Sequence, residues 1–204
     1  MNVVKKIVLI GPESTGKSTL CNQLAVHYKT KWCPEYARNY LERNGKIYTY
    51  ENLLEIAKGQ LELEDKYELK VKSQKLKTNI QQETRNKKRE ASNIQNPTLF
   101  LDTDMIVMKV WCEFVFEKCH DFINEEITKR KYDLYLLCNI DLPWIKDNLR
   151  EYPDDKPRKE LFEIYKNILE NQTTPWQLIS GFGDDRLQHA IHAVNEIMGH
   201  NPPH

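Results

Sequence analysis

The sequence predicts an α/β fold, a parallel sheet covered by helices on both faces, and three observations carry that prediction. An apolar run, Ile7–Ile10, breaks at Gly11 and gives way to Gly16-Lys17-Ser18-Thr19, after which Leu20 opens a helical pattern. Strand and helix therefore flank a G-x-x-x-x-G-K-S loop. Further apolar runs alternate with helical stretches at a spacing that yields parallel strands joined by right-handed crossovers. Finally, Gly11, Glu35, Asp102 and Asn139-Ile140-Asp141 each follow a predicted strand end. That gathers them on the one edge of the sheet where such folds bind ligands.

The elements follow in order. The first helix is predicted over Lys17–Tyr28, with Leu20, Leu24 and Tyr28 on one face, and a short strand over Lys31–Pro34. A long helical pattern starts at Glu51 with Leu54, Ala57 and Leu61 as its core stripe, and loses regularity after Leu69. Between Lys66 and Glu90 nine lysines and arginines face three acids. With Tyr67 its only aromatic residue, that stretch lacks the stacking groups of a nucleic-acid arm and reads as a solvated helix or helical insertion over about 66–96. Thr98–Asp102 is the next strand, ending on an acid. Met105–Phe116 is apolar almost all round and reads as a buried helix. Tyr132–Cys138 and Trp176–Ser180 complete the strands, with a polar, proline-containing excursion (about 141–158) and a helix over Lys159–Leu169 between them. Asp184 or Asp185 is placed to cap a last helix running to Met198, and the tail 199–204 is expected to fray.

Composition bounds the rest. A chain of 204 residues is expected to form a single domain, and 30 basic residues balanced by 30 acidic ones give no global pull towards nucleic acid or membrane. The five cysteines are scattered without a C-x-x-C pair, so Cys112 and Cys119 read as packing residues rather than metal ligands. No signal peptide or membrane span is legible, and the expected setting is a reducing cytoplasm. The Asn171-Gln172-Thr173 pattern then carries no glycan.

The chemistry starts at the loop. Its glycines let successive backbone N–H groups turn towards an anion, and the helix from Lys17 adds its dipole. Gly11, Glu13, Ser14, Thr15, Gly16, Lys17, Ser18 and Thr19 form the predicted ATP phosphate cradle. Lys17 reaches the terminal phosphates, and Ser18 with Asp102 holds Mg²⁺. The guanine-specifying Asn-Lys-x-Asp tetrad is missing at Cys138–Asp141. No glutamate follows Asp102 to orient a water. A kinase fits these absences better than a GTPase or an ATP-driven machine. Glu35 can then take a proton from an acceptor hydroxyl. Arg38 either clamps substrate or pairs with Glu35 at i,i+3. Arg150 and Arg158, in the excursion, are candidates to neutralise charge on the transferring phosphoryl group.

GPESTGKSTL, PEYARNYLE, IAKGQ, LFLDTD with Trp111 after it, YDLYLLCNIDLPWIKDNLR with Arg158 beyond, and ISGFGDDR occur in that order. Together they resemble the ribosylnicotinamide kinase (nicotinamide riboside kinase) family, whose domain also forms the C-terminal half of NadR-type bifunctional proteins. The resemblance implies a P-loop nucleoside triphosphate hydrolase-like, nucleoside-kinase-like fold. It also implies ATP-dependent phosphorylation of the nicotinamide riboside 5′-hydroxyl to nicotinamide mononucleotide. By position it puts Glu35, Tyr36 and Arg38 in the substrate-side motif, Asp102 and Asp104 in the acidic motif, and Arg150 and Arg158 in a lid. Trp32, Tyr36, Tyr40 and Trp111 are the candidate aromatic walls for the cationic ring. Pro34 stands where some members carry an aromatic residue. No H-x-G-H nucleotidyl signature occurs, so no adenylyl transfer is expected. Rival readings are a kinase for another nucleoside or small metabolite, and a regulatory ATPase whose basic helices dock a partner. Oligomeric state is not legible.

Overall fold

Alternate side chains of the first strand divide the core into two. The computed structural model describes residues 3–84, 97–147 and 154–199. In β1 (Lys5–Ile10), Val8 and Ile10 point to one face while Ile7 and Leu9 point to the other, the two-residue period of a strand covered on both sides. The described residues add β2 (Lys31–Cys33), β3 (Thr98–Asp102), β4 (Leu134–Cys138) and β5 (Trp176–Ile179), in the spatial order β2-β3-β1-β4-β5. Every pairing is parallel, so all five strands end on the same rim, as predicted.

Helices α1 (Lys17–His27) and α7 (Gly183–Met198) cover one face through Leu20, Leu24, Ala190 and Val194. The other face takes α3 (Tyr50–Thr84), α4 (Met105–Phe116) and α6 (Asp155–Glu170), with Val71, Val110 and Phe162 in its core. A satellite core joins α2 (Tyr36–Asn44) and α5 (Asp121–Lys129) to α3 and α4 through Ala37, Leu53, Ile56, Met108, Cys112 and Ile123.

Several expectations are corrected. Ala57 and Leu61 of the predicted α3 stripe are buried, but Leu53 and Ile56 complete it and Leu54 is only half-buried. The helix continues unbroken to Thr84, so the basic stretch begins as an extension of α3, while residues 85–96 lie outside the described ones. Helix α5 was not predicted, and α6 starts at Asp155 rather than Lys159. The N-cap of α7 is Phe182, and neither Asp184 nor Asp185 caps it. Both acids instead lie in the first turn, where the helix dipole favours them. All five cysteines are free, and among the described residues no helix is long and apolar enough to cross a membrane.

At the rim opposite the strand ends, charges are paired under cover. Lys5 bonds Asp133 at 2.7 Å, and Lys6 reaches Glu64 at 3.0 Å and Glu68 at 2.7 Å. Glu64 is fully buried but is matched by Arg130 at 3.2 Å and the Tyr132 hydroxyl at 3.0 Å, which is what makes a buried carboxylate tolerable.

Candidate active site

The loop leaving β1 turns at once. Gly11 has φ 137°, and a Cβ there would lie 2.8 Å from the Cys138 carbonyl of the neighbouring strand end, so both backbone conformation and space demand glycine. Gly16 (φ 77°) precedes the first turn of α1, where the first intrahelical bond runs from Leu20 N–H to the Gly16 carbonyl. The N–H groups of Lys17, Ser18 and Thr19 come before that bond, as in anion-binding helix starts. Lys17 Nζ donates to the Gly11 and Pro12 carbonyls at 2.9 and 2.8 Å, folding its charge over the loop with one of its three N–H groups to spare.

The register of the sheet sets Asp102 opposite Leu9, one position short of the loop. Asp102 is buried, accepts a short hydrogen bond from Ser18 Oγ on one oxygen, and has no hydrogen-bond partner for the other among the described residues. Burial drives its pKa up, against the pull of Lys17, Ser18 and Arg38. An orphaned carboxylate oxygen beside a hydroxyl, at the mouth of an anion cradle, fits a hard cation that takes its remaining ligands from phosphates and water. Among the described residues no group of three His, Cys, Asp or Glu side chains is placed to hold a metal ion. The next residue, Thr103, is buried with φ 102°, a strained conformation for a β-branched residue. It turns Asp102 and Asp104 to different sides.

Glu35 is the N-cap of α2, but its side chain makes no capping bond and lines the cavity. The N–H of the first helical residue, Tyr36, is accepted by Gln60 Oε1 from α3 at 2.7 Å. Glu35 is open on its cavity side and surrounded by protein elsewhere. Desolvation first, then the Asp102 charge, push its pKa from 4.5 to about 7, while Lys17 and Arg38 oppose the rise.

One cavity of about 210 Å³ joins the loop to Glu35; Asp102 does not line it but bonds Ser18, which does. All of Gly11–Thr19 line one end, Glu35 and Arg38 one side, and Val107, Trp111, Phe114, Leu161 and Tyr165 an apolar wall. Trp111 is fixed there by a 2.8 Å hydrogen bond from its indole N–H to the Tyr48 hydroxyl. Phe114 and Tyr165 escaped the sequence reading. The i,i+7 spacing of Val107 and Phe114 on α4 was a usable signal, whereas Tyr165 reaches the wall from α6.

Other predicted residues do not meet there. Asp104 is buried outside the cavity wall: one oxygen accepts the Ile106 and Val107 N–H groups at 3.0 and 3.2 Å, capping α4, and the other accepts the Tyr135 hydroxyl at 2.7 Å. Its predicted substrate contact is corrected to a capping role, with burial lifting its pKa to about 6. The Tyr36 ring packs against Gly59 of α3, and Tyr36 is not a cavity residue. Trp32 packs on the α1/α7 face and Tyr40 bonds Glu55 at 2.5 Å; neither lines the cavity. Arg38 pairs with Asp147 at 2.9 Å rather than with Glu35. Arg158 sits under the segment after β4, donating to the Leu142 carbonyl at 3.2 Å with its guanidinium over Trp144. It supports that segment and does not line the cavity. Arg150 lies outside the described residues.

The family model described as an AAA domain matches residues 6–186. The chain belongs to the AAA domain family. Among relatives, the trifunctional NAD biosynthesis/regulator proteins NadR of Escherichia coli (strain K12) and Salmonella typhimurium (strain LT2) are each 26% identical over 201 residues. The match takes in 96% of this chain and 43% of either relative, so the chain spans less than half the length of the curated relatives it matches. Among solved structures, a NadR protein in complex with NR superposes with a TM-score of 0.69 at 23% identity, covering 98% of this chain and 53% of that one. Thymidylate kinase from Ehrlichia chaffeensis gives 0.58 at 12% identity, covering 95% and 98%. The fold of this AAA-family chain is thus that of the P-loop nucleoside and nucleotide kinases.

Proposed function

We propose that the protein is an ATP-dependent kinase that phosphorylates the 5′-hydroxyl of nicotinamide riboside, giving nicotinamide mononucleotide. The observation that carries this reading is a cavity with an anion cradle at one end, an unshared carboxylate with a pKa raised to about 7 at its side, and an aromatic wall beyond. Similarity to NadR proteins over 96% of this chain, and the likeness to a NadR protein solved in complex with NR, support the choice of acceptor.

In this mechanism the backbone N–H groups of Gly16–Thr19 and the Lys17 ammonium hold the triphosphate tail. Ser18 and Asp102 would hold Mg²⁺, which supplies charge neutralisation between the phosphates. Glu35 accepts the proton of the attacking hydroxyl on a carboxylate oxygen. Its raised pKa keeps it basic enough for the task near pH 7. Arg38 faces the same cavity and offsets charge on the transferred group. Trp111, Phe114 and Tyr165 take the cationic ring of the riboside, an interaction worth about 0.5–2 kcal/mol per favourable ring.

The test is ADP formation by purified protein with ATP, Mg²⁺ and one acceptor at a time. Turnover with nicotinamide riboside at least tenfold above that with adenosine, thymidine or uridine is expected. Preference for an uncharged nucleoside would replace the acceptor. Turnover that needs a macromolecule would replace the reaction.

A further inference from the structure

Arg186, in the first turn of α7, is 171 residues from Thr15 in sequence yet donates to its carbonyl. It is 5% exposed. One terminal nitrogen bonds Asp141 Oδ1 at 2.8 Å and the Gly181 carbonyl at 3.1 Å; the other bonds the Thr15 carbonyl at 2.9 Å and the Asn139 carbonyl at 3.2 Å. Asp141 is itself fixed by the Gly181 N–H at 2.7 Å. One guanidinium therefore ties together the phosphate loop, the end of β4, the start of the segment over the loop, and the β5–α7 turn.

The choice of residue is costly. Among the described residues the Arg186 Nε–H finds no oxygen or nitrogen acceptor, only the Cys138 thiol lying against the guanidinium, and a buried ion pair adds little stability over apolar packing. What it adds is direction. The Thr15–Gly16 peptide is trans, so its C=O and N–H point opposite ways. Holding the Thr15 carbonyl outward aims the Gly16 N–H into the cradle. Thr15 Oγ1, bonded to the Pro12 carbonyl at 2.8 Å, locks the same turn from inside.

We propose that Arg186, clamped by Asp141, is a positioning residue that pre-orients the phosphate loop for a polyphosphate chain. The inference rests on the proposed kinase reading and deepens it by assigning nucleotide affinity to a residue outside the loop. Lysine cannot replace arginine here, because a point charge cannot span four acceptors in two directions.

The probe is inorganic tripolyphosphate with Mg²⁺, titrated by calorimetry into wild-type protein, Arg186→Lys and Asp141→Asn. Expected are measurable binding to the wild type, a loss of about tenfold in Arg186→Lys and about threefold in Asp141→Asn. In steady-state kinetics the KM for ATP should rise in step while the KM for the acceptor stays within twofold. A role in stability alone would lower the melting temperature and leave affinity untouched. Wild-type affinity in a folded Arg186→Lys, or in Asp141→Asn should the first variant not fold, overturns the inference and leaves the kinase reading standing. Failure of the wild type to bind overturns both.

Discussion

Replacing Glu35 by glutamine removes an unshared carboxylate from the cavity and tests the proton-transfer step directly. With its pKa at about 7, about one Glu35 in eleven is ionised at pH 6 and about ten in eleven at pH 8. A base must be deprotonated to act, so the rate rises with pH, about tenfold between those limits. The assay is initial velocity with both substrates far below KM, where ionisations of the free protein are read. Glu35→Gln should lower the plateau rate by about 10²-fold or more and abolish the rise near pH 7. It should leave tripolyphosphate affinity close to that of the wild type, because the glutamine is isosteric and outside the cradle. A Glu35→Gln protein that keeps both the rate and the inflection would refute the reasoning and pass the base role to Asp102, or to no base.

Asp104→Asn separates the corrected role from the predicted one. Asparagine can still cap α4, so turnover should stay within a few-fold; its loss in a folded variant would restore a substrate contact. The native pKa of Asp104 is raised, so its ionisation costs stability that is absent below pH 3.8 and complete above about 6. Urea melts should therefore show the variant gaining about 2–3 kcal/mol on the wild type between pH 4 and pH 7. Gly59→Ala puts a Cβ 2.2 Å from the Tyr36 ring, and should destabilise by about 1–3 kcal/mol, with Tyr36→Leu relieving most of it in a double-mutant melt. Trp111→Ala opens the apolar wall, and should raise the KM for nicotinamide riboside about tenfold with that for ATP unchanged; equal effects on both would move the ring elsewhere.

Local pattern carried the parts of this fold that are local. The Gly11–Ser18 loop, the limits of β3 and those of α4 are encoded in contiguous residues whose spacing is itself the physical requirement. The parallel sheet followed from their order. What escaped the reading depends on contacts between distant residues. Gln60 bonds the Tyr36 N–H across 24 positions, and nothing about a glutamine in an amphipathic helix announces that it caps another helix. Arg186 ends a motif whose chemistry appears only once α7 packs beside the loop. Asp104 was legible and misread: an acid just before the apolar run of α4 is a cap signal, and its neighbour in LFLDTD drew the functional reading onto it.

The paired charges beneath the sheet have a practical consequence. Lys5, Asp133 and Arg130 anchor the rim farthest from the cavity, so a surface tether or a dye attached near them would leave the reactive mouth facing solution. The same separation lets an engineer redesign durability on one side and selectivity on the other as two largely independent problems.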